Sequence, residues 1–362
     1  MLTTTSSQLS ARRGEVIPSL HEAKAQAFLT TALPNVRYLT GFTGSNGALL
    51  LTEDRALLFT DPRYGTQAPE ESDCEVKVAK GPLLKEITKW IERLQLKSLE
   101  FEQNRISFED YGQLKEHAKG LRLKPVNSLI ETLRAVKSET EVAAIRNSVR
   151  LNSTALEESL RRFKPSMTEV DLAAEIDYRM RRLGAEEPAF ETIVASGKRS
   201  ALPHARPTSA RIQTDELLLI DMGAIVAGYA SDMTRTHAVG KLDAKRRRMY
   251  RAVLESQLAV LDAIKPGVTC ASVDRVARNV LRGFGLEKLF IHSTGHGLGL
   301  EIHERPRVGR KDKTKLVTGM VITVEPGVYE KDFGGVRIED TVVVTTDGCE
   351  VLTPTPKELL TL

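Results

Sequence analysis

Cysteine is scarce in this chain: three residues in 362, Cys74, Cys270 and Cys349, odd in number and far apart. A disulfide framework or a cysteine-ligated zinc site needs paired thiols, so both are excluded as organising devices. No run of 18 apolar residues occurs, and a membrane-spanning helix is therefore not expected. The opening MLTTTSSQLSARRGEV contains no apolar stretch of the kind a secretion signal carries. Charge of one sign is missing too, since 52 Lys and Arg stand against 48 Asp and Glu for a net +4. The single basic run, Lys-Arg-Arg-Arg at 245–248, opens an amphipathic pattern of Met249, Val253, Leu254, Leu258 and Leu261 and reads as a solvated helix face. These absences point to a soluble, cytoplasmic protein that binds neither nucleic acid nor membrane.

At 362 residues the chain is long enough for about two domains. Residues 1–130 alternate strand-like runs (25–30, 48–52, 56–60) with helical ones (83–94, 108–118), the pattern of a small α/β domain. Residues 131–137 read as a linker. A second domain, 138–362, opens on a capping box, Ser138 with Glu141 three positions on, followed by the helical spacing of Val142, Ile145 and Val149. It contains an internal echo: Lys-Pro-Ser-Met-Thr at 164–168 returns as Lys-Pro-Gly-Val-Thr at 265–269, and Gly184 returns as Gly285, each 101 residues later. The echo predicts two halves of similar build facing one another.

Each half carries a pair of carboxylates in β-type sequence. In LLLIDMGAIVAGYASDMTRTHAV, 217–221 and 229–236 are strand-like with Gly228 between them. A turn centred on Val226 and Ala227 would set Asp221 directly opposite Asp232, with Cβ atoms about 5 Å apart. Two carboxylates that close repel unless a cation lies between them or they share a proton. In MVITVEPGVYEKDFGGVRIEDTVVV, Glu325 and Glu339 are symmetric about Asp332 and can likewise face each other. The two-residue period puts Arg337, Glu339 and Thr341 on one face of their strand, and Val336 and Ile338 on the other. One carboxylate in a hairpin is ordinarily a solvated edge residue. Four interrupting apolar strands at paired positions would be costly to bury without a cation, and the set points to a metal site.

A nitrogen ligand is available in IHSTGHGLGLEIHE, where Gly295, Gly297 and Gly299 flank His296 and let the backbone approach a ligand closely. The glycines do not follow the G-x-G-x-x-G spacing and no Walker lysine follows them, so nucleotide binding is not indicated. His303-Glu304 is followed by Arg305, Pro306 and Arg307, which excludes the H-E-x-x-H helix of single-zinc proteases.

The ordered set Asp221, Asp232, His296, Glu325 and Glu339, in the words IDMG, SDMTRT, STGHGLGLEIHE, VEPGVY and GGVRIEDT, resembles the creatinase/methionine aminopeptidase superfamily. Within it the chain is most similar to the Xaa-Pro dipeptidases (prolidases) and Xaa-Pro aminopeptidases. YLTGFTGSNG at 38–47 and TDPRY at 60–64 extend the likeness into the N-terminal part. The resemblance implies an α+β "pita-bread" catalytic domain with a pseudo-twofold repeat, preceded by a creatinase-type α/β domain. It implies two divalent metal ions, with Asp232 and Glu339 bridging them, Asp221 completing one site, and His296 with Glu325 the other. Mainly oxygen ligands favour Mn(II) and also suit Co(II), Fe(II) or Zn(II). His204, in ALPHARPT, and His303 match family histidines beside the scissile bond. The expected chemistry is attack of a metal-bridging hydroxide on the carbonyl before proline, with His204 and His303 hydrogen-bonding the substrate and Glu325 relaying a proton to the leaving nitrogen.

Substrate choice depends on other residues. A dipeptidase must hold a free carboxylate, and arginine is its natural bidentate partner. Arg307 matches the carboxylate-binding arginine of compact prolidases, and Arg337, beside Glu339, is the competing candidate. The expected substrates are proline-containing dipeptides; the alternatives are an aminopeptidase acting on longer peptides and, more remotely, a peptide-binding pseudo-enzyme. Relatives with this N-terminal domain are commonly homodimers, and the GFTGSNG loop at 41–47 is the segment expected to reach a partner; a tight internal turn is its other reading.

Overall fold

The computed structural model describes residues 5–118 and 120–362. The chain divides into two compact units, one ending at Arg134 and the other running from Ala135 to Leu362. The stretch 131–137, expected as a linker, lies largely within a helix, Leu129–Ala135.

The N-terminal unit is built on a six-stranded mixed sheet in the spatial order Glu75–Val78, Ala56–Thr60, Gly47–Thr52, Ala27–Thr30, Ser98–Glu102 and Arg122–Val126. The central strands are apolar on both faces and fully buried, as expected of strands covered by helices. Leu83–Arg93 supplies one cover, packing Leu84, Ile87, Trp90 and Ile91 against Leu50, Leu57 and Phe59. The 41–47 loop is braced within its own unit. Gly41 ends the Leu33–Thr40 helix at φ +79°, Thr43 bonds the Glu71 carboxylate, Ser45 bonds the Tyr64 hydroxyl at 2.6 Å, and Asn46 donates to Asp61.

The C-terminal unit opens on helix Glu139–Leu160, whose Ser138–Glu141 capping box forms as the sequence predicts. Its two halves repeat the same parts. Thr168 caps helix Glu169–Arg182 and Thr269 caps Cys270–Gly283, each through its side chain. Each threonine also bridges a later segment, Thr168 to Arg211 and Thr269 to Lys315. Gly184 and Gly285 follow the helices with positive φ, +107° and +74°. The first half packs Leu156, Leu172, Ile176 and Met180 against Leu218, Ile220 and Met222. The second packs Val253, Val260, Val273 and Leu281 against Ile322, Val324, Val336 and Ile338.

Three antiparallel strands, Ile193–Ser196, Glu216–Met222 and Met233–Val239, form the sheet of the first half. The second half has five, ordered Glu304–Val308, Gly295–Gly297, Val321–Val324, Asp340–Val344 and Cys349–Val351. The halves are stitched where 234–236 runs beside 337–339. Glu339 N donates to Thr234 O at 3.1 Å, and the Thr236 hydroxyl both accepts from Arg337 N and donates to Arg337 O.

The basic run lies at the start of helix Ala244–Ala263. Its cations are engaged locally: Lys245 pairs with Glu330, Arg246 with Glu216 and Asp243, and Arg247 and Arg248 donate to backbone carbonyls. Met249 and Val253 are buried as their spacing predicts, but Leu258 lies 43% exposed on the outer face.

Candidate active site

Asp221 is the last residue but one of its strand and Asp232 immediately precedes the other, but they are not directly opposite. The observed register pairs Asp221 with Thr234 and Met222 with Met233. The turn comprises Ala227 and Gly228, both at positive φ (+50° and +78°), inside a short hairpin of Ala224–Val226 with Tyr229–Ala230. Moving the turn by one residue shifts the pairing by two, which preserves the face on which each side chain lies. The aspartates therefore converge diagonally rather than head-on. The second pair follows its expected symmetry: Val321–Val324 with Asp340–Val344, and Gly327–Glu330 with Gly334–Arg337, share one register centred on Asp332. Glu325 and Glu339 sit in the gap between these two ladders.

Asp232, His296 and Glu339 present ligand atoms within 4.8 Å of one another. His296 Nε2 is 3.5 Å from Asp232 Oδ2 and 3.5 Å from Glu325 Oε1. Its Nδ1 lies 3.0 Å from Gly297 O; a proton on Nδ1 donated to that carbonyl leaves the Nε2 lone pair facing the carboxylates. Thr323 ties the group together, its hydroxyl accepting from His296 N and donating to Glu325. Thr234 donates to Glu339 Oε2 at 2.7 Å.

The electrostatics are those of a site built for cations. Burial first, and then Glu339, Asp221 and Glu325, push the Asp232 carboxyl well above its ordinary range. Glu339 is raised in the same way, by burial and then by Glu325 and Asp221, and burial lifts Glu325 to about 7. Burial holds His296 down at about 4, with His303 adding to the effect, so its imidazole is neutral and its lone pair is free. Asp221 Oδ1 and Glu339 Oε1 are buried with no hydrogen-bond partner. Buried oxygens left unpaired are expensive, and one buried guanidinium, Arg337, does not neutralise four carboxylates. Divalent ions fit this donor set on both counts.

Two family descriptions match the chain: "Metallopeptidase family M24" over residues 143–346 and "Creatinase/Prolidase N-terminal domain" over 12–136. The chain belongs to metallopeptidase family M24. It is 38% identical to the Xaa-Pro dipeptidase of Pyrococcus horikoshii across 347 residues, 96% of this chain and 97% of that one. The Xaa-Pro dipeptidase structure from Bacillus anthracis superposes with a TM-score of 0.95 at 37% identity, covering 98% of this chain and all of the other. An X-Pro aminopeptidase structure from Thermotoga maritima gives 0.90 at 35% identity, covering 95% and 100%.

In this M24 peptidase the carboxylates and His296 open into a cavity of about 650 Å³ that His204, His303, Arg307 and Arg337 also line. All nine residues singled out in the sequence thus meet in one place. His204 and His303 are exposed on its wall, and the His303 ring stands edge-on to His296 with centroids 4.4 Å apart. Partial desolvation inside the cavity, with His204 adding to it, lowers the His303 pKa. Arg307 is exposed and pairs with His296 across the Gly295–Gly297 and Glu304–Val308 strands.

Arg337 departs from the expectation of a substrate-binding group. It is 3% exposed and all three guanidinium nitrogens are engaged: Nη2 with Asp221, Nε with Thr234, and Nη1 with Tyr329 and Pro203 O. Its place on the carboxylate face makes it the internal counter-ion.

His292, which lines the cavity, and the buried Tyr329 were given no role from sequence. His292 Nε2 lies 2.9 Å from the Tyr329 hydroxyl, which also accepts from Arg337 at 2.6 Å. The signal for Tyr329 was in the register. Gly327 pairs with Arg337, so Tyr329, two residues on, shares the Arg337 face.

Proposed function

We propose that this M24 peptidase is a dinuclear Xaa-Pro dipeptidase. The carrying observation is the Asp232–His296–Glu339 cluster, with unpartnered carboxylate oxygens on Glu339 itself and on Asp221, in the same cavity as the exposed arginine Arg307. Asp232 and Glu339 would hold both ions, Asp221 one of them, and His296 with Glu325 the other. Mainly oxygen donors favour Mn(II), with Co(II), Fe(II) and Zn(II) as alternatives. Bound divalent ions supply Lewis acidity and activate water at neutral pH.

The chain's own groups do the rest. His204 and His303, on the cavity wall, donate hydrogen bonds to the carbonyl oxygen as it gains charge. Glu325, the least buried of the four carboxylates, would carry a proton to the leaving proline nitrogen. Arg307 receives the dipeptide carboxylate. Three unpaired cysteines suit a reducing, cytoplasmic setting, and a homodimer follows from the family resemblance, with light scattering as its test.

The likeness to an X-Pro aminopeptidase structure supports a second reading, release of the first residue from longer peptides. Titration with Mn(II) while following Ala-Pro and Ala-Pro-Ala hydrolysis separates the two. Preference for Ala-Pro that Arg307→Ala abolishes supports the dipeptidase; equal turnover of both peptides supports the aminopeptidase. Full activity in Asp232→Ala would remove the proposed centre itself.

A further inference from the structure

We propose that Ser293 is a positioning residue that makes the peptidase selective for a free carboxyl terminus by fixing the guanidinium of Arg307. The inference rests on the dipeptidase reading of Arg307 and deepens it.

Arg307 Nε donates to Ser293 Oγ at 2.6 Å, and both residues line the cavity that holds the carboxylate cluster. Among the described residues, neither terminal nitrogen of Arg307 makes a hydrogen bond or an ion pair. An exposed arginine side chain otherwise samples many rotamers. With Nε occupied, the edge carrying Nη1 and Nη2 is the one left open, and it can give a carboxylate two parallel hydrogen bonds. A terminal amide offers that edge one neutral oxygen.

The serine is itself held firmly. The preceding carbonyl, His292 O, accepts from the buried Arg278 at 2.6 Å, and the following amide, Thr294 N, donates to Val308 O at 2.8 Å. Arg307 is fixed from its own side by strand pairing with His296 and by its backbone amide, which donates to Asp312. The hydroxyl therefore joins two anchored strands, and the contact sets the direction of the guanidinium relative to the cluster.

The test compares kcat/KM for Ala-Pro and Ala-Pro-amide in the full-length, metal-loaded enzyme. Losing the hydrogen bond that positions the guanidinium should lower the Ala-Pro to Ala-Pro-amide ratio about three- to tenfold in Ser293→Ala. The change should fall on KM for Ala-Pro, with kcat and metal content held, and Ser293→Thr, which restores a hydroxyl, should recover the ratio. In an Arg307→Ala background Ser293→Ala should add nothing. An unchanged ratio in Ser293→Ala, with collapse in Arg307→Ala, overturns the role of Ser293 and leaves the dipeptidase reading intact. An unchanged ratio in Arg307→Ala overturns both. Should Ser293→Ala fold poorly, Ser293→Thr decides: a hydroxyl-bearing variant that loses the ratio while retaining its metal contradicts the proposal.

Discussion

Arg337 and Asp221 meet at 2.6 Å where the two halves of the catalytic domain face each other, Nη2 donating to Oδ2. The guanidinium is the buried counter-charge to a carboxylate cluster, and both partners are almost out of solvent. Breaking a buried pair by removing one member costs about 3–5 kcal/mol, because the other charge is left uncompensated. Arg337→Leu should lower the thermal midpoint of the metal-free protein by that equivalent. Bound cations neutralise the same carboxylates, so the loss should be smaller with metal than in chelator. Calorimetry of both variants, with and without Mn(II), checks the difference; equal losses in the two states would contradict it.

Asp232→Asn should move stability and activity in opposite directions. Burial, and then Glu339, Asp221 and Glu325, make the charged form of Asp232 costly in the metal-free site. Removing its charge relieves that cost, by at least about 1.4 kcal/mol if the relief is worth one pKa unit. The metal-free variant should therefore melt higher than wild type in chelator, while metal affinity and peptide hydrolysis fall by at least about 100-fold. A variant that melts lower without metal would show that the carboxylates are not in mutual strain.

His237 gives a pH-dependent prediction away from the carboxylate cluster. It is buried on the strand Met233–Val239, neither ring nitrogen has a hydrogen-bond partner, and burial, aided by Arg235, lowers it to about 4. The unfolded chain, with a histidine near its ordinary value of about 6.5, binds the proton more tightly. Full stability is present above about pH 6.5 and is lost as pH falls toward 4, by up to about 3 kcal/mol. His237→Leu removes this share of the loss. Urea midpoints in chelator at pH 7 and pH 4.5 should differ less in the variant than in wild type.

Much of this centre could be read from sequence because strands have a period of two. Asp221, Asp232, Glu325 and Glu339 break apolar runs at positions whose parity survives a small register error, and the turn was in fact misplaced by one residue. Its position depended on Ala227 adopting positive φ, which a residue with a Cβ seldom does. The outer strands Glu75–Val78 and Arg122–Val126 went unread for another reason. Their residues are exposed or half-buried and include lysine, arginine, glutamate and proline, so no buried apolar run marks them, and the alternation in Glu75–Val78 spans only 4 residues. The direction of the Arg337 side chain was illegible as well, since it depends on Tyr329, Thr234 and Pro203, contributed by separate segments.

Gly297 tests whether the glycines around His296 are there for close approach. A Cβ built on Gly297 would lie 2.1 Å from Arg305 O, inside any real contact distance, and the neighbour is backbone that cannot rotate away. Accommodating it must spread the Gly295–Gly297 and Glu304–Val308 strands. That movement also displaces Gly297 O, the carbonyl 3.0 Å from His296 Nδ1 that orients the imidazole. Gly297→Ala should therefore cost about 1–3 kcal/mol of stability and about 10–100-fold in metal affinity, the usual penalty for losing a partner that orients a ligand. Gly283, at the end of the Cys270–Gly283 helix, has nothing within 4 Å of its Cβ position, so Gly283→Ala should be neutral or stabilising by up to about 1 kcal/mol. Metal titration and thermal melts of the two variants side by side decide the matter: equal behaviour would mean that the His296 glycines are not there for close approach.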